Sequence, residues 1–74
     1  MLKMQLQSAR ILPVLAQKNK SQRWLAKKLG ISSGYMAQLL NGTRCPSPKT
    51  REKIQEHFKD WAFDELFTGI EEHP

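Results

Sequence analysis

The side chains in this 74-residue chain that could catalyse a reaction or hold a metal ion are few and widely separated. Cys45, His57 and His73 are the thiol and imidazole candidates, and their spacing matches no zinc-ligand pattern and no Cys–His catalytic motif. Carboxylates near the C-terminus are most simply a solvated acidic surface: Asp64, Glu65, Glu71 and Glu72. The sequence therefore predicts a non-enzymatic protein with no cofactor and no metal.

The charged residues are divided sharply along the chain. Ten of the twelve Lys and Arg residues lie in residues 1–51, which contain no Asp or Glu, whereas all seven acidic residues lie at Glu52 or later. A long basic segment without acids indicates a polyanionic partner, most often nucleic acid. The alternative is a basic surface that serves only solubility.

The stretch Ser21 to Arg44 predicts two short helices, at about 22–29 and 33–40, joined by a tight turn. Ser21 and Ser32 are residue types that cap helix N-termini. Gly30 can adopt the left-handed conformation that ends a helix. Ala26 is small enough for two helices to cross closely, and the apolar residues around it can meet across the crossing: Leu25, Leu29, Met36, Leu39 and Leu40. This spacing predicts a helix-turn-helix.

The residues that form this pattern also resemble a known family, the XRE or phage-repressor (Cro-like, lambda-repressor-like) helix-turn-helix proteins. The matching pattern is Gln22-x-x-Leu25-Ala26-x-x-x-Gly30-Ile31-Ser32-x-x-Tyr35-Met36-x-x-Leu39-x-Asn41-Gly42-x-Arg44-x-Pro46-Ser47. The resemblance implies a transcriptional regulator, most simply a repressor, that binds double-stranded DNA. It also implies a cytoplasmic protein encoded by a bacterium or a phage.

In the docking mode that this resemblance implies, the third helix enters the major groove and the second lies across the backbone. The outward residues of the third helix would then read base edges: Ser33, Gly34, Ala37 and Gln38. Gln38 is the strongest candidate, because its amide can donate to N7 and accept from N6 of adenine. Plain solvent exposure is the alternative for Gln38 and Ser33.

The resemblance further implies a set of phosphate contacts around the same groove edge: Gln22, Arg23, Ser32, Tyr35, Asn41, Arg44 and Lys49. Gln22 would stand at the start of a helix, where free N–H groups and the helix dipole favour an anion. Such contacts fix the register of a protein on DNA without reading sequence.

The rest of the chain predicts an all-α fold, a compact bundle of about five short helices in a single domain over residues 1–74. The first helix spans about Ser8 to Lys18; because of Pro13, either it begins near Arg10, with Pro13 in its first turn, or it bends at Pro13. A final helix would be capped by Asp60 and ended by Gly69.

Leu2, Met4 and Leu6 alternate with polar residues, a strand-like period, so residues 1–7 could be an ordered arm, an edge strand used in pairing or a frayed end. We expect a flexible arm there and a loose tail over residues 70–74, because chain ends are commonly frayed.

Aromatic and apolar residues near the C-terminus are candidates for the core or, where exposed, for a homodimer interface on a palindromic operator: Trp61, Phe63, Leu66 and Phe67. The alternative function is a protein-interaction module, of antitoxin or anti-repressor type, that uses this acidic and aromatic region. Trp24 stands where the family usually has a polar residue, and we expect it to pack at the edge of the core. The lone Cys45 fits a reducing cytosol, and no apolar run approaches the length of a membrane span.

Overall fold

Five helices and a two-stranded sheet make up the computed structural model, which describes residues 2–71. Their order is β1 (Leu2–Leu6), α1 (Ser8–Gln17), α2 (Gln22–Leu29), α3 (Ser33–Asn41), α4 (Pro48–His57), α5 (Phe63–Leu66) and β2 (Phe67–Glu71). The prediction of about five short helices is confirmed, but the prediction of an all-α fold is wrong because it omits the sheet.

The two ends of the described chain pair with each other as an antiparallel ribbon. The register runs from Leu6 opposite Phe67 to Leu2 opposite Glu71. The expectation of a flexible arm is therefore wrong for residues 2–7, where the alternative of an edge strand is correct, and the loose tail is wrong for Ile70 and Glu71. Met1 and residues 72–74 lie outside the described residues. An isolated ribbon is marginally stable in water, so its packing on the helices matters. Leu6 and Phe67, which face each other, are both buried in the core.

Gln7 holds this ribbon to the helices. Its backbone N–H donates to the Leu66 carbonyl at 2.8 Å, and its side-chain amide donates to the carbonyls of Asp64 and Phe67. The next residue, Ser8, donates from its hydroxyl to the carbonyl of Leu40 near the end of α3. The ribbon is thereby fixed both to α5 and to the helix expected to enter the DNA groove.

Helix α1 contains Pro13 in its interior, so neither the start near Arg10 nor a first-turn proline is correct. Arg10 and Ile11 already donate to the carbonyl of Gln7, at 3.0 and 3.3 Å. A proline at this depth removes the hydrogen bond to the carbonyl four residues earlier, at Ala9. Ala9 is exposed, so water can replace the missing donor.

The helix-turn-helix forms as predicted. Ser21 and Ser32 accept hydrogen bonds from the N–H groups of Trp24 and Tyr35 at 3.0 and 3.1 Å. Gly30 ends α2 at φ 71°, and the Ile31 N–H reaches back to the Ala26 carbonyl at 3.0 Å. This is a left-handed helix end that glycine adopts without steric cost. The glycine that ends α2 and the serine that caps α3 are thus the two short-range signals that determine the turn between the helices.

The C-terminal region differs most from expectation. Its helix spans only Phe63–Leu66, begins after Ala62 rather than Asp60, and ends well before Gly69. Glu65 stabilises its start, since its carboxylate accepts from the Ala62 N–H at 2.9 Å. Leu66 and Phe67 are 0% and 1% exposed, so both belong to the core, which was one of the two alternatives, and neither belongs to an exposed homodimer patch. The chain changes from helix to strand between them, which lets both side chains enter the core.

None of the helices in residues 2–71 combines the length and the apolar character that crossing a membrane would require.

Candidate nucleic-acid interface

One side of α3 faces solvent and the other forms part of the core. Met36, Leu39 and Leu40 are buried. The predicted base-reading residues are all exposed: Ser33, Gly34, Ala37 and Gln38. This division follows from the helical period, which returns every three or four residues to the same side. The exposed side is free of acids along its whole length.

Arg44 lies beside this exposed side of α3. Its guanidinium Nη1 donates to Gln38 Oε1 at 3.5 Å, and its Cζ stands 5.3 Å above the centre of the Tyr35 ring. A guanidinium over an aromatic face at this distance is a favourable cation–π arrangement. The sequence indicated the charge of Arg44 but not its contact with Gln38, because that contact depends on the path of the loop after α3.

Tyr35 is fixed by the start of α4. Its hydroxyl donates to Thr50 Oγ1 and accepts from the Ser47 N–H, both at 3.3 Å, while Ser47 and Thr50 bond to each other. The pKa of Tyr35 is below its ordinary value: burial raises it, but the hydrogen bonds with Thr50 and Ser47 and the charge of Arg44 outweigh burial. The single hydroxyl proton of Tyr35 is therefore used within the protein.

Other predicted phosphate contacts surround α3. Gln22 and Arg23 are exposed in the first turn of α2, where backbone N–H groups lack helical partners, and Lys49 is exposed in the first turn of α4. Asn41 Oδ1 accepts from the N–H and hydroxyl of Thr43, at 3.0 and 2.7 Å, which leaves the amide NH₂ of Asn41 as its outward donor. The arrangement presents N–H donors and cations around a central exposed helix.

A family model described as helix-turn-helix matches residues 14–59, which is more than half of the chain. The chain belongs to the XRE-type helix-turn-helix family. No curated protein and no solved structure matches the chain. The matched region covers α2, α3 and α4 completely, whereas the ribbon and α5 lie outside it.

Membership of the XRE family makes the protein a DNA-binding regulator and its DNA double-stranded. This is a regulatory family and not a family of enzymes. Within residues 2–71, no group of His, Cys, Asp or Glu side chains is placed to hold a metal ion.

Two of the predicted contact residues of this XRE-type domain use their hydroxyls internally. Ser32 caps α3 and Tyr35 bonds to α4, as described above. The structure brings Gln38, Tyr35 and Arg44 together. It places Gln22 and Arg23 at the start of α2 and Lys49 at the start of α4. Gln5 was missed by the sequence analysis: its amide donates to the Gly42 carbonyl at 3.3 Å and so attaches β1 to the end of α3. The alternation of apolar and polar residues in β1 was the sequence signal that could have identified the strand carrying Gln5.

A substitution at Gly34 tests directly whether DNA approaches the backbone of α3 closely on its exposed side. No protein atom lies within 4 Å of the position that a Cβ would occupy there. Because glycine is unfavourable within a helix, Gly34→Ala should stabilise the free protein by about 0.5–1 kcal/mol. We expect the same variant to bind DNA more weakly if base edges come close to the Gly34 backbone. Thermal unfolding and a gel shift measure the two effects, and a variant with unchanged DNA affinity would contradict close approach.

Trp24 packs at the edge of the core, as expected. Its ring meets His57 edge-on with centroids 5.8 Å apart, and the ammonium groups of Lys20 and Lys28 lie 5.3 and 5.7 Å from the ring centre. The pKa of His57 is lowered, first by burial and then by the charges of Lys18 and Lys28. Trp24 is thus a structural contact between α2 and the end of α4.

The lowered pKa of His57 predicts a pH-dependent stability. Below its unfolded-state pKa of about 6.5, the unfolded chain binds more protons at this site than the folded chain does. The free energy of unfolding should therefore fall as pH decreases below about 6.5, until the lower folded-state pKa is passed. Urea unfolding at about pH 7.5 and 5.5 measures this, with His57→Gln as the control. An equal pH dependence in the control would contradict the assignment to His57.

Proposed function

We propose that this protein is a sequence-specific repressor that binds a palindromic operator as a homodimer and reads the major groove with the exposed side of α3. The observation that carries the proposal is the exposure of Ser33, Gly34, Ala37 and Gln38 on a helix whose opposite side is locked in the core. A helix that enters the major groove must present an uncovered side and be held rigidly behind it.

Gln38 is proposed to read a base edge, assisted by Ser33 and Ala37. Gln22, Arg23, Asn41 and Lys49 are proposed to hold phosphates on either side of the groove. The charge distribution supports these roles, because the residues belong to the acid-free segment 1–51. Backbone contacts of this kind supply affinity and register, whereas base contacts supply specificity.

The dimer is proposed from the geometry of the DNA. A two-fold protein would place two α3 helices about 34 Å apart, one turn of the duplex, on two half-sites. The interface proposed from sequence is reduced to Phe63, which is 40% exposed, and the half-buried Trp61, because Leu66 and Phe67 are buried. The burial of Leu66 and Phe67 also weakens the alternative of a protein-interaction module, because the exposed aromatic surface available to a partner protein would be as small as that available to a second copy of the chain.

Two variants separate base reading from phosphate binding. Gln38→Ala should lose about 1–3 kcal/mol of discrimination at one base pair and leave the salt dependence almost unchanged. Lys49→Ala should instead weaken binding to all sequences alike. The measurement is a gel shift of each variant against cognate and random duplexes. If both variants lost the same affinity on both DNAs, the assigned roles would be incorrect.

A further inference from the structure

The contact between Gln38 and Arg44 bears on which base the protein reads. We propose that these two side chains form one reading unit that presents chiefly hydrogen-bond donors and therefore favours guanine over adenine. This inference rests on the proposed function, since it names the base that the exposed side of α3 would recognise.

The loop after α3 brings the two side chains together. Gly42, at φ 81°, turns the chain back toward the helix, and Thr43 is held by Asn41. The N–H of Arg44 then donates to the Gln38 carbonyl at 3.3 Å, so the two residues are joined through the backbone as well as through their side chains. The folded loop therefore holds the backbone of Arg44 beside Gln38, and the two side chains meet from there.

Tyr35 holds the guanidinium in place from the other side. The Tyr35 ring lies under Arg44 and precedes Gln38 by three residues, so both project from the same side of α3. The ring itself is fixed by Ser47 and Thr50. Arg44 thus lies between a hydrogen-bonded aromatic ring and the amide of Gln38.

The chemistry of this pair fixes the orientation of the amide. An arginine offers only donors, so the oxygen of Gln38 must face it, because the NH₂ end would set donors against donors. With one of the two lone pairs of the Gln38 oxygen engaged by Arg44, a single acceptor position remains against several donors, which are the amide NH₂ and the other N–H groups of Arg44. An adenine opposite this unit would present its N6 amino group, a donor that faces mostly donors and must share the Gln38 oxygen with Arg44. Guanine presents two acceptors, N7 and O6, and satisfies the unit.

The test is selection of bound duplexes from a randomised pool by four proteins: the wild type, Gln38→Ala, Arg44→Met and the control Lys49→Met. The base pair whose preference disappears in Gln38→Ala defines the position under Gln38. We expect guanine there for the wild type and for Lys49→Met. Arg44→Met frees the Gln38 oxygen, so the preference should move to adenine by about fivefold or more.

Adenine under Gln38 in the wild type, or an unchanged preference in Arg44→Met, would overturn the reading unit while leaving sequence-specific binding intact. A pool in which the wild type enriches no sequence would overturn the proposed function and this inference together. Loss of affinity alone in Arg44→Met, with guanine retained, would show that Arg44 acts only on phosphates, which also contradicts the proposal.

Discussion

Replacing Phe67 by alanine is expected to lower the free energy of unfolding by about 3–5 kcal/mol, the usual cost of removing a buried phenylalanine. Phe67 is 1% exposed and lies opposite Leu6 in the ribbon. A domain of this size is stabilised by roughly 0.05–0.15 kcal/mol per residue, so the loss is a large fraction of the total. Urea denaturation followed by circular dichroism measures it.

Phe63 supplies a matched control for this prediction. Its ring centre is 4.9 Å from that of Phe67, but its side chain is 40% exposed. Phe63→Ala should therefore cost clearly less than Phe67→Ala. Where Phe67→Ala does not fold, Phe67→Leu should still fold with reduced stability, because it removes less volume. Equal effects of the two alanine variants would show that the ribbon is not part of the core.

The affinity for DNA is expected to fall steeply with salt. If each of two protomers neutralises about two phosphates, through Arg23 and Lys49, raising the salt from about 50 to 200 mM should weaken binding by about 10²-fold. The physical cause is the release of counterions from the DNA by the cationic residues around α3. Fluorescence anisotropy with a labelled duplex at a series of salt concentrations measures the slope.

Lys49→Ala provides the control for the salt dependence. It removes one proposed phosphate contact per protomer, so the slope should become shallower by about one for each protomer. A wild-type slope corresponding to one or two phosphates, or an unchanged slope in Lys49→Ala, would contradict the proposed phosphate contacts.

The parts of the fold that the sequence predicted correctly are determined by short-range chemistry. Ser21 and Ser32 cap helices within three residues of themselves, and Gly30 ends α2 where it stands. These signals are contained in a few neighbouring residues, so they can be recognised without the rest of the structure.

The parts that the sequence did not predict depend on distant partners. The alternation of Leu2, Met4 and Leu6 indicates a strand only when its pairing with residues 67–71 is known. Leu66 and Phe67 were compatible with a longer helix. In the structure Phe67 instead begins β2, and its pairing with β1 places its side chain in the core. At the interface, exposure of the α3 residues followed from helical periodicity. The contact of Arg44 with Gln38 did not, because it depends on the turn at Gly42.

The central claim is that the exposed side of α3 is the surface that touches bases. The most direct measurement is NMR chemical-shift mapping of the ¹⁵N-labelled protein with a duplex recovered by selection. The largest backbone shifts should lie between Ser33 and Gln38 and at the first turn of α2, and the ribbon should be little affected. Shifts concentrated instead in the ribbon and around Phe63, with α3 unchanged, would contradict the claim.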